Sequence, residues 1–119
     1  MILDLIKRKK VDLGLDFTKI GKQWGKIPGK KETYEIDIVA LNEKTKEILF
    51  AECKWQPRVN AEKVCRELAG KTEYVDWHKN ERKESFAVFA RSFSKRISEF
   101  EGRPVHCFDL KDLKRVLFG

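Results

Sequence analysis

The sequence predicts an α/β domain, one sheet with helices on its faces, and three observations predict it. Apolar residues alternate with period two through much of residues 34–55, the period changes to 3.6 after Pro57, and SFAVFA, from Ser85 to Ala90, is a continuous apolar run. Such a run suits a central strand covered on both sides. At 119 residues and 41% hydrophobic content, the chain is long enough for one compact domain with a real core and too short for two.

The elements follow in order. Residues 2–10 are expected as a short helix with Ile2, Leu5 and Ile6 on one face. A strand is expected from Leu15 to Trp24, and the glycine- and lysine-rich stretch Gly25 to Lys31 then reads as a turn or loop. Tyr34 to Leu41 and Glu47 to Trp55 read as strands joined by the polar connection Asn42 to Lys46, short enough for a hairpin. Three antiparallel strands in a row is the economical arrangement. In the long helix that follows, Ala61, Val64, Cys65, Leu68, Thr72 and Val75 share one face. Glu62–Arg66, Lys63–Glu67 and Glu67–Lys71 are spaced for i,i+4 pairs on the other. Asn60 is its expected N-cap, with Val59 and Val64 in the staple positions. After the central strand come a short helix from Ser94 to Glu101 stopped at Gly102, a strand from Val105 to Phe108, and a closing helix from Asp109 to Leu117 capped by Asp109.

Charge narrows the partners. Lys and Arg outnumber Asp and Glu by 26 to 19, giving a net charge of +7 and a pI near 9.4, a balance that favours a polyanion such as DNA. The cysteines, Cys53, Cys65 and Cys107, are odd in number and lack paired spacing, which fits a reducing, cytoplasmic compartment better than a secreted disulfide scaffold. No apolar run approaches a membrane span, and the N-terminus lacks the pattern of a signal peptide, so no membrane partner is expected.

Carboxylates in the segments that look most like buried sheet stand out. Glu52 and Lys54 point the same way on their strand, roughly 7 Å apart, and Glu35 and Asp37 share a face on the preceding one. If the two strands pair through the short loop, Asp37 lies beside Glu52. Two carboxylates forced together need a counter-charge or a proton. Mg²⁺ meets that need with one or two carboxylates, water and substrate phosphate as ligands, and Lys54 would stabilise charge on a phosphoryl group. The same spacing also reads as a same-face Glu52–Lys54 ion pair beside a solvated Asp37.

Glu35-Ile36-Asp37 followed by Ala51-Glu52-Cys53-Lys54 resembles the signature of the PD-(D/E)XK nuclease superfamily. That resemblance implies a restriction-endonuclease-like αβββαβ core, a central mixed sheet flanked by helices, over nearly the whole chain. More narrowly, FTKIGKQW from Phe17, EIDIVAL from Glu35 and ILFAECKW from Ile48 resemble the C-terminal domain of archaeal P-loop ATPases, the DUF234 family. Archaeal Holliday-junction resolvases share the same core. By position, the resemblance makes Asp37 and Glu52 ligands of Mg²⁺ or Mn²⁺, the Cys53 carbonyl a third ligand, Lys54 the catalytic lysine and Glu35 an acidic neighbour. Asp4 is the candidate for the carboxylate that active members add from the first helix. Trp55 is expected beside the site, and Lys71, on the exposed side of the long helix, serves either a backbone phosphate or a solvated ion pair. GKIPGKK, at Gly25 to Lys31, has the wrong glycine spacing for a phosphate loop and no Ser or Thr after the lysine. The chain therefore reads as one domain over 1–119, either the excised C-terminal domain of a larger ATPase or a stand-alone relative, with a P-loop ATPase in cis or a second copy as further partners.

Other residues carry less. His78 and His106 lack the clustering of a zinc site, and Cys53 is expected as a small buried side chain facing away from the carboxylates. Lys22, Lys26 and Lys30, interleaved with Trp24, are candidates for phosphate contacts that would not read sequence, and the same pattern equally reads as lysines solvating an exposed hairpin while Trp24 packs on the core. Metal-dependent DNA hydrolysis is the leading expectation. The alternative is a catalytically inactive DNA-binding or assembly domain.

Overall fold

The computed structural model describes Ile2 and residues 16–118. The expected helix over residues 2–10 lies outside them apart from Ile2, as does Asp4. The protein is α/β, and residues 16–118 form a six-stranded mixed sheet, a two-stranded pair and two helices, one of them short.

Strands β1 (Lys19–Lys26), β2 (Thr33–Asn42) and β3 (Glu47–Lys54) form the expected antiparallel meander. The Asn42 side chain fixes the β2–β3 turn by accepting from the Lys44 and Thr45 amides at 2.9 and 3.1 Å. After β3 the chain passes through β4 (Val59–Asn60) and helix α1 (Ala61–Thr72), then returns in β5 (Lys83–Ala90), parallel to β3. Asn60 caps α1 as its sequence position predicts, accepting from the amides of Glu62 and Lys63. β5 lies between β3 and β8 (Arg103–Phe108), and its Phe86 to Ala90 stretch is wholly buried.

Two clusters divide the core between the faces of the sheet. Tyr34, Ile36, Phe50, Phe86 and Val88 pack with Val64, Cys65 and Leu68 of α1. Ile38, Ala40, Leu49, Ala51, Ala87 and Phe89 pack with Ile2 and with Leu113 of α2 (Leu110–Phe118). Asp109 caps α2 in a reciprocal pair, its carboxylate accepting from the Asp112 amide while Asp112 accepts from its own, each at 2.9 Å.

The helix expected over Ser94 to Glu101 is absent. Two short strands stand there, β6 (Phe93–Lys95), which pairs with β4, and β7 (Glu99–Phe100), which forms a hairpin with β8. Phe93, Ile97 and Phe100 imitate helical spacing, but in extended chain all three still reach the core under α1. Glu101 and Gly102 both hold positive φ, 50° and 80°, the two-residue turn that a tight hairpin needs. Gly102 thus turns a hairpin and does not stop a helix. No helix among the described residues is long and apolar enough to cross a membrane.

At the far end of the sheet from Asp37 and Glu52, Arg82 donates to the carbonyl of Thr72, the last residue of α1, and to those of Val75 and Trp77 in the connection that follows. Its guanidinium also bonds Glu84 at 2.7 Å, and the other oxygen of Glu84 takes Arg103 at 2.7 Å. Nothing in the hydrophobic pattern announces this triad.

Candidate active site

Asp37 and Glu52 meet where β2 and β3 part. The β2–β3 ladder ends at Ile38 opposite Ala51. Beyond it the Cys53 amide points toward β2, and the Asp37 carboxylate accepts it at 2.8 Å. On the other side of β2 the register against β1 slips, because Gly21 faces Val39 while Gln23 faces Ile36. One extra residue is therefore accommodated in β2 around Asp37 and Ile38, a β-bulge.

The bulge corrects the alternation expected from sequence. Tyr34 and Ile36 pack in the α1 cluster, yet so do Val39 and Leu41, while Ile38 and Ala40 serve the opposite one. Sharing a face therefore no longer follows from the two-residue spacing of Glu35 and Asp37. Glu35 turns to Lys22 across the edge of the sheet, 2.8 Å away, and both side chains are exposed. Asp37 turns to Cys53 and to Glu52.

Glu52 is the electrostatic centre. It is 4% exposed, and its carboxylate accepts from the Lys71 ammonium of α1 at 2.7 Å. Burial pushes its pKa from an ordinary 4.5 up to about 7, and contact with the Asp37 carboxylate adds to the rise, against which Lys71 acts. Lys71 is thus no freely solvated lysine of the outer helix face. Its side chain is one-third exposed and is spent on Glu52, a long-range pair that the i,i+4 spacing to Glu67 conceals.

Lys54 lines the same open depression of about 660 Å³, together with Asp37, Glu52, Glu67, Lys71 and Tyr74. The Cys53 thiol packs with the cluster on the opposite side and is raised to about 12 by burial first and the nearby carboxylates second, so it stays neutral. Trp55, just past β3, is 41% exposed. Lys26 and Lys30 are exposed on β1 and its following turn, whereas Lys22 is paired to Glu35.

Mg²⁺ or Mn²⁺ is tested by the donor set. No group of three His, Cys, Asp or Glu side chains is arranged as a metal cage among the described residues. Asp37 and Glu52 nevertheless supply two hard carboxylate donors in mutual contact, a set that fits a cation which keeps several waters.

The family model describing archaeal and bacterial proteins of unknown function, DUF234, matches residues 1–66, which include β1, β2, β3 and both carboxylates. The chain belongs to the DUF234 family. An uncharacterized protein of Methanocaldococcus jannaschii is 31% identical over 113 residues, covering 93% of this chain. The chain spans 23% of that relative's length. No solved structure matches it.

Proposed function

We propose that this DUF234 domain hydrolyses DNA phosphodiester bonds with Mg²⁺ or Mn²⁺, using Asp37, Glu52 and Lys54 in a restriction-endonuclease-like arrangement. The observation that carries the reading is the contact between two carboxylates at the fork of β2 and β3, with Lys54 lining the same depression. A cation bound there would polarise the scissile phosphate and its attacking water. Asp37 and Glu52 would hold that cation, and Asp37 is itself oriented by the Cys53 amide. Lys54 would stand over the phosphate as a point charge. Glu35 lines the rim of the depression and is kept from the centre by Lys22.

A second reading, a DNA-binding or assembly domain attached to an ATPase and without hydrolysis, has its own support. Lys71 already supplies Glu52 with a positive partner at 2.7 Å, so the pair of carboxylates is partly neutralised by the protein itself. Supercoiled plasmid, single-stranded DNA and a four-way junction, each with Mg²⁺ or Mn²⁺, separate the readings. Metal-dependent cutting lost in both Glu52→Ala and Lys54→Ala is the expected result. Cutting that survives Glu52→Ala refutes the site, and salt-sensitive DNA binding without cutting on any substrate selects the second reading.

A further inference from the structure

Trp24 has no role in that site, yet among the described residues it is the most exposed of the large apolar side chains, with 68% of its surface open. Among the described residues strand β1 is an edge of the sheet, paired only with β2. Along it Lys22, Trp24 and Lys26 are exposed, while Gln23 and Gly25 between them are partly covered. The covered set faces α1. Gln23 donates to the Tyr34 hydroxyl at 3.4 Å, and a Cβ at Gly25 would come within 3.0 Å of the Tyr34 ring. Lys22, Trp24 and Lys26 therefore share the other face, with one lysine about 7 Å along the strand on each side of the indole.

We propose that Lys22, Trp24 and Lys26 form a platform for single-stranded DNA, on which an unpaired base stacks against Trp24 while the lysines approach the flanking phosphates. An indole lying open between two cations has the composition of such platforms, in which aromatic stacking supplies contact with any base and lysines follow the backbone. In duplex DNA the faces of the bases are covered by their neighbours, so a stacking surface selects unpaired substrate. Lys22 neutralises Glu35, the cross-strand neighbour of Trp24, and Lys26 has no ion-pair partner among the described residues. Glu35 also lines the rim of the depression that holds Asp37 and Glu52, whose other wall is α1, so the platform and the depression lie on opposite faces of the sheet and adjoin at Glu35. The inference rests on the reading that the chain binds DNA and not on hydrolysis.

Fluorescence anisotropy with a labelled oligothymidylate and with a labelled duplex of equal length tests it, using Trp24→Ala, Trp24→Phe and wild type. Circular dichroism is used to establish that each variant is folded. Trp24→Ala is expected to weaken oligothymidylate binding by about 5- to 150-fold, the range for one lost stacked base, with duplex affinity unchanged and most of the loss restored in Trp24→Phe. Equal oligothymidylate affinity in wild type and Trp24→Ala overturns the platform while leaving DNA binding and cleavage to stand on their own assays. Self-association abolished by Trp24→Ala, with oligothymidylate affinity unchanged, also overturns it and assigns the face to a second copy.

Discussion

Replacing Glu52 by Gln should make the metal-free protein more stable at pH 8 while removing a proposed metal ligand. The carboxyl is 4% exposed and its pKa stands at about 7 against an ordinary 4.5. A folded-state value above the unfolded one means that the fold favours the protonated acid. That contribution is complete below pH 4.5 and is lost as pH rises through about 7, where Glu52 must carry its charge in the folded chain. The interval, at about 1.4 kcal/mol per pH unit, corresponds to about 3 kcal/mol at pH 8. The effect of Lys71 is already contained in it, since that ammonium lowers a value that burial and Asp37 raise.

Glutamine imitates the protonated acid without titrating. Urea unfolding in EDTA should therefore give Glu52→Gln a stability gain approaching about 3 kcal/mol at pH 8, falling to a few tenths at pH 4. With a slope near 2 kcal/mol per molar urea, the midpoint at pH 8 would rise by about 1.5 M. A variant less stable than wild type at pH 8 would refute the reasoning. So would an equal gain at both pH values, which would trace the effect to contacts of the amide and not to ionisation.

Two further outcomes follow from the same charges. Lys71→Met should cost about 1–3 kcal/mol at pH 8, much less at pH 5 where Glu52 is mostly protonated, and less again in the Glu52→Gln background; a double-mutant cycle by urea unfolding reads all three. Glu84→Gln should destabilise the fold by about 3 kcal/mol, because it strips the counter-charge from Arg82, whose side chain is 2% exposed, and leaves Arg103 the longer pair with Glu101 at 3.6 Å; thermal unfolding measures it, and a loss below about 1 kcal/mol would refute it.

What the sequence made legible was whatever local pattern controls. α1 could be read from its buried positions and from Asn60, the β2–β3 hairpin from its polar connection, and β5 from an apolar run that has nowhere to go but the middle of a sheet. Phe93, Ile97 and Phe100 show the limit of this reading, since residues spaced for one helical face reached the same core from two short strands and the connection between them. The charged clusters were hidden for a different reason. Lys71 and Glu52 are 19 residues apart, as are Arg103 and Glu84, and only tertiary folding brings either pair together. Asp37, Glu52 and Lys54 could be found from strand spacing and from the resemblance to a nuclease signature, but the bulge that breaks alternation at Asp37 depends on the register of β1, which no residue type in β2 encodes.

That bulge accounts for how a sheet tolerates this pair. In an unbroken ladder the Cys53 amide would be matched by β2 backbone and two facing carboxylates would have to share the space between strands. Here β2 joins β3 only from Ile38 onward, and the Asp37 carboxylate takes the freed amide, so one charge is held by the gap that the bulge helps to open. Glu52 has no such donor from the sheet and draws on Lys71 from the helix above. The two carboxylates are thus supported from different elements, β3 for one and α1 for the other. A cation between them would relieve the remaining repulsion without requiring either support to move. Both readings of function start from this unequal support, and hydrolysis asks one thing more of it: Lys54 must stay free for a phosphate while Lys71 stays with Glu52.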